Sequence, residues 1–160
     1  MTESSFIKSA EERLAKLGIE LPDVPTPIAN FVPFRRHEGL VYLAGQVCEW
    51  NGEVRFVGKV GEQYGLAEAQ QAARICGLNL LAALRLACGG SLNRVAYCLR
   101  LGGFVNCTPT FPSVPQVVNG ASDLMHELFG AQGHHVRTAV GVANLPHGAA
   151  VEVDAVFALE

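Results

Sequence analysis

The 160-residue chain is short of charge: Asp, Glu, Lys and Arg together make up 17% of it, and hydrophobic residues 49%. It also lacks a basic face. Net charge is −3, and Arg35-Arg36-His37 is the only local basic run, too small to support RNA binding and weighing against a nuclease. No two of the five cysteines (Cys48, Cys76, Cys88, Cys98, Cys107) have C-x-x-C spacing. A disulfide framework or zinc centre is therefore not expected, and reduced thiols packed as small hydrophobes are. The first residues offer neither a basic nor an apolar signal segment, and no apolar run reaches the ~20 residues of a membrane span. A cytoplasmic location is the expectation. No G-x-S-x-G elbow, P-loop or G-x-G-x-x-G phosphate site is present, and no cofactor or metal is expected.

What is there is enough apolar sequence for one core, and more than a small isolated domain needs, which hints at an oligomer. Residues 1–160 read as a single domain: a helix at 3–17 and a Pro-rich extended connection in 1–27, then a core over 28–160. Phe6, Ala10, Leu14 and Leu17 fall at helical spacing. Three prolines, at 22, 25 and 27, forbid helix beyond them. Strands are predicted at 30–36 and 40–47, with a third at 54–57 after an Asn51-Gly52 turn. A long helix follows at 65–88 and a strand at 95–105, where Gly102-Gly103 signals a bulge or a close backbone approach. A second helix is predicted from Pro115 to Phe129, and two last strands at 136–143 and 150–158. The order is that of an α+β fold, a mixed sheet with helices on one face. Its other face is apolar too, and subunit packing is the simplest cover.

Alternation along the last two strands places Arg137, Ala139 and Gly141 on one face of the first, and Glu152 and Asp154 on one face of the second. If the strands pair, a guanidinium sits beside two carboxylates. Two readings follow. The arginine neutralises Glu152 or Asp154 across the sheet, or its planar fork holds the carboxylate of a small ligand while Glu152 orients a water. His134 and His135, adjacent on a strand, would point to opposite sides and could not share a metal. His147 sits in a turn, and Cys107 reads as a core thiol.

The run Arg137-Thr138-Ala139-Val140-Gly141-Val142-Ala143-Asn144-Leu145-Pro146, followed by Val151-Glu152-Val153-Asp154-Ala155, resembles the C-terminal signature of the RidA/YjgF family, R-[ST]-x-V-x-V-x-x-L-P and then V/I-E-[VI]-[ED]-A. Leu40 to Gln46 is similar to that family's early strand ending in S-G-Q, and Val117-Val118-Asn119 to a helix start. The Gly-Ala-Ser-Asp run at 120–123 looks like a divergent branch. The resemblance implies a chorismate-mutase-like fold, a homotrimer with clefts between subunits, and cofactor-free hydrolysis of enamines and imines such as 2-aminoacrylate to 2-keto acids and ammonia. It casts Arg137 as the carboxylate clamp, Glu152 as the group near the attacking water and Gly45 as a cleft glycine. It adds Phe31, Ala44 and Ala139 where relatives carry tyrosine, serine and cysteine, and Asn119 as a helix contribution to the site. The expected ligand is a small carboxylate or an imino or keto acid. The competing readings are a non-catalytic binder of such acids with a regulatory role, and an endoribonuclease or translation inhibitor.

Overall fold

In the computed structural model, which describes residues 9–160, two long helices lie on one face of a five-stranded sheet. The elements are α1 (Ala10–Lys16), β1 (Phe34–His37), β2 (Leu40–Val47), β3 (Glu49–Trp50), β4 (Glu53–Val54), α2 (Leu66–Ala87), β5 (Val95–Asn106), α3 (Val114–Phe129), β6 (Val136–Val142) and β7 (Val151–Leu159). The expectation of a mixed sheet with helices on one face holds. The strand order is β1-β2-β7-β5-β6. β5 and β6 run parallel, joined through α3, and the other pairings are antiparallel.

β7 lies in the middle and organises the core. Val151, Val153, Ala155 and Phe157 are buried, while Glu152, Asp154 and Val156 between them are half-buried. Phe157 meets Phe129 of α3 edge to face, ring centres 6.0 Å apart. The buried row therefore points toward the helices, and the alternate row toward the uncovered face. Small residues let the helices pack tightly: a Cβ on Gly120 of α3 would collide with the Gln70 carbonyl of α2, and one on Gly77 would sit 2.9 Å from a Leu124 methyl. The long helix ends at Cys88, where Gly89 (φ 77°) and Gly90 (φ 110°) supply the left-handed backbone that closes it.

Several expectations need correction. The first strand begins at Phe34, because residues 30–33 form bends that end at Pro33. The Asn51-Gly52 turn is present with positive φ at both residues, but it closes a two-residue ribbon, β3–β4, outside the main sheet. Gly102-Gly103 is a close approach and not a bulge: side chains there would strike Asp154 and Val118, and the irregularities of β5 lie earlier, at 95–97 and 98–100. The part of the first predicted helix that contains Phe6 lies outside the described residues. α1 begins after Ser9, whose Oγ accepts from the Glu12 N–H, and Glu11 ties it down by a bidentate pair with Arg85 at 2.6 and 3.0 Å. Four of the five thiols are buried, and Cys48 and Cys76 donate to the Phe56 and Val151 carbonyls. No described helix is long and apolar enough to cross a membrane.

The uncovered face of the sheet carries apolar side chains beside Glu152 and the Arg100–Asp154 pair. Tyr42, Tyr97, Leu99, Val136 and Val140 are exposed on it, Val136 by 70%.

Candidate functional site

The two residues on which the sequence reading rests do not meet within one chain. β5 lies between β6 and β7, so the expected pairing of those two strands is wrong. Glu152 belongs to the row of β7 that faces away from the helices. Arg137 reaches the other way, to α3, so the two side chains leave the sheet on opposite faces. Neither Glu152 nor Asp154 neutralises Arg137, and Asp154 pairs with Arg100 at 3.2 Å instead.

Arg137 is held by neutral acceptors alone. Its Nη1 donates to Asn119 Oδ1 (2.8 Å) and Ser122 Oγ (3.1 Å), and its Nη2 to the Pro115 carbonyl (3.0 Å). All three belong to α3, so one helix fixes the fork. Among the described residues no carboxylate lies within 4.0 Å of it. A guanidinium has five N–H donors. Three are engaged, which leaves the Nε–H and one Nη2–H, as many as one carboxylate accepts. Asn119, expected as a helix contribution to the site, hydrogen-bonds the arginine and so positions it. Ala139 packs against the core and exposes no group to this hollow.

The sequence reading missed what surrounds the arginine. Asn119, Ser122, Asp123, His126, His134, His135 and Arg137 line one open hollow. Ser122 Oγ lies 2.8 Å from His135 Nε2, and His135 Nδ1 2.7 Å from the Gly133 carbonyl. His134 and His135 do not point apart: their ring centres lie 4.3 and 5.7 Å from that of His126. They precede β6 on the end of a 3-10 turn, where strand alternation does not apply. None of the described residues groups three side chains able to hold a metal.

Glu152 lies in a different hollow, of about 260 Å³, together with Phe31, Gly45, Glu49 and His147 and the stretch from Pro25 to Ala29. β2 builds its floor. Two residues, Ala44 and Gly45, stand against the single Asp154 of β7, a β-bulge. The bulge leaves Gly45 beneath the Glu152 side chain, where any Cβ would come within 3.1 Å of the carboxyl carbon. Ala44 sits in the bulge, its N–H bonded to the Pro33 carbonyl, and does not line the hollow. Burial, and after it the charge of Asp154, raises the Glu152 pKa above the ordinary carboxylate value. His147 takes a left-handed conformation (φ 59°) between Pro146 and Gly148 and stands at the rim. Of the N-terminal region it is the Pro-rich connection, not α1, that walls the hollow. Among the described residues its lining includes two acids and no lysine or arginine.

Comparison with known proteins places the chain. Residues 11–158 match the family model described as "YjgF/chorismate_mutase-like, putative endoribonuclease". The chain belongs to this family. It is 40% identical over 147 residues to Protein TCP17 of Trypanosoma cruzi, covering 91% of each chain. A crystal structure of a protein of unknown function from Agrobacterium tumefaciens is 40% identical, with a TM-score of 0.87 over 94% of this chain and 92% of that one. One described as a putative endoribonuclease from Shewanella oneidensis is 31% identical, with a TM-score of 0.91 over 95% of this chain and all of that one. The YjgF member thus has the chorismate-mutase-like fold that the resemblance implied, built on the α+β mixed sheet that the order of its elements implied.

Proposed function

We propose that this YjgF-family chain hydrolyses enamines or imines of small 2-amino acids, in clefts completed by a second copy of itself. The observation that carries the reading is the uncompensated charge of Arg137, oriented by three neutral acceptors with two donors left over. Charge left unpaired in a half-buried site favours an anion, and the planar fork favours a carboxylate. The hollow around Glu152 supplies what the arginine lacks: apolar walls from Pro25, Pro27, Ile28 and Phe31, and a carboxyl of raised pKa. Among the described residues it holds no lysine or arginine, so an anionic substrate there calls for a cation from elsewhere. The exposed tyrosines and valines on the open face of the sheet support the second copy that would bring it, and a homotrimer is the form that the family resemblance implies.

In this arrangement the neighbour's Arg137 holds the substrate carboxylate. Glu152 takes a proton from water as the oxygen attacks the imine carbon. Proton transfer to the amine and collapse of the carbinolamine release ammonia and leave the keto acid.

The test generates 2-aminoacrylate or 2-iminobutanoate in situ and follows keto-acid release by the pure protein. Acceleration that Arg137→Ala abolishes supports the reading. No acceleration, or equal rates for both proteins, overturns it. Phe31, which lines the hollow without a hydroxyl, favours a second reading, a binder without turnover. Calorimetry showing tight binding of 2-oxobutanoate with no hydrolysis of its imine would decide for it.

A further inference from the structure

Beside the arginine lies a hydrogen-bonded chain whose polarity can be worked out. The Gly133 carbonyl only accepts, so His135 Nδ1 carries the proton of their 2.7 Å bond. In a neutral ring Nε2 is then bare and accepts, and the 2.8 Å contact is a bond donated by the Ser122 hydroxyl. With its proton committed, Ser122 Oγ presents lone pairs to the Arg137 guanidinium 3.1 Å away. Every group in the line from the Gly133 carbonyl to Arg137 has one role.

We propose that Ser122 and His135 are positioning residues for Arg137, a relay in which the neutral, Nδ1-protonated imidazole fixes the serine as an acceptor and so sets the direction of the guanidinium fork. The proposal rests on Arg137 as the anion clamp. Ser122 is buried, with 7% of its surface exposed, so the hydroxyl has few other partners to turn to.

Protonation of His135 would undo the arrangement. Nε2 would become a donor, the serine proton would have to turn away, and two cations would converge on one oxygen. The groups around the ring set when that happens. Burial is the first cause of its lowered pKa, and His126 on α3, the neighbouring His134 and Arg137 on β6 add to it, against the Gly133 bond. Asp123 of α3, on the same hollow, is the nearby acid. The ring therefore stays neutral at pH 7 and charges at a pH below the ordinary histidine value of about 6.5.

Nitrogen-15 NMR of the wild-type imidazoles tests the relay without a variant. The proton is expected on His135 Nδ1, whereas a free imidazole prefers Nε2, and an Nε2–H ring would overturn the proposal. Binding of 2-oxobutanoate by calorimetry tests the consequence. Ser122→Ala and His135→Ala are each expected to weaken it about tenfold, the size of one hydrogen bond to a charged group. In turnover of the imine the loss should fall on KM more than on kcat. Ser122→Thr and His135→Gln, which keep the hydroxyl and an uncharged acceptor, should recover most of it. The wild type should lose affinity as pH falls below the ordinary histidine value of about 6.5, and His135→Gln should lose much less. Wild-type affinity in Ser122→Ala and His135→Ala alongside loss in Arg137→Ala, or identical pH profiles for wild type and His135→Gln, would overturn the relay and leave the clamp standing. Wild-type affinity in Arg137→Ala would instead overturn the clamp. Labelling of Ser122 by a fluorophosphonate would make it a nucleophile and also overturn its assignment as a positioning residue.

Discussion

Glu152 shows at the scale of one residue how the catalytic role proposed for it would oppose stability. Its carboxyl is driven toward the protonated form by burial and by Asp154, so the folded state binds this proton more readily than the unfolded chain does. The associated stability is present below the unfolded pKa and is lost as pH rises through the folded one. Glu152→Gln should accordingly raise the melting temperature at pH 7, and the gain should vanish near pH 4. The same variant should lower keto-acid release by about 10²- to 10⁴-fold, the range of a general base. Scanning calorimetry at the two pH values, paired with the turnover assay, checks both halves. Arg137→Lys keeps the charge and loses the planar fork, and a loss of at least about tenfold in kcat/KM is expected.

At the scale of elements, glycine controls how closely the parts approach. Gly45→Ala should push the Glu152 carboxylate off the floor of its hollow, lowering kcat by about tenfold with little change in melting temperature. Gly103→Val would drive a side chain into Val118 of α3, at a cost of about 1–3 kcal/mol for overpacking, measurable as a shifted urea midpoint. The elements themselves were largely legible in the sequence. α2, α3, β5 and β7 showed their periodicity, and β7 its strict alternation, because local pattern is what those elements are made of. Strand order is not local. Nothing in residues 136–158 tells that β5 inserts between β6 and β7, so Glu152 was read as facing Arg137 when it faces away. Ser122 and His135 escaped for the same reason: their contact joins a helix to the start of a strand, and neither neighbourhood alone hints at it. The Pro-rich connection was legible as extended chain, but its role as a wall was not. That wall argues for substrates with an apolar substituent: imines from leucine- or phenylalanine-like amino acids should show higher kcat/KM than 2-aminoacrylate, and Ile28→Asp should narrow the difference.

For the whole molecule, the uncovered face of the sheet decides. Tyr97 is 54% exposed on it, in the company of Tyr42, Leu99 and Val140. Static light scattering should give three times the mass of one chain. Tyr97→Glu should shift the mass toward one chain and remove activity in parallel, with the far-ultraviolet circular dichroism retained.

If the acid and the cation, which leave opposite sides of the sheet, meet only between copies as proposed, a defect in one chain would be repairable by another. Arg137→Ala and Glu152→Gln proteins, each inert alone, should regain activity when unfolded together and refolded as a mixture. Random assortment would give both intact groups to about one cleft in four. Such complementation would turn the geometry of one protomer into a genetic property of the proposed assembly, in which two silent alleles together would make a working enzyme.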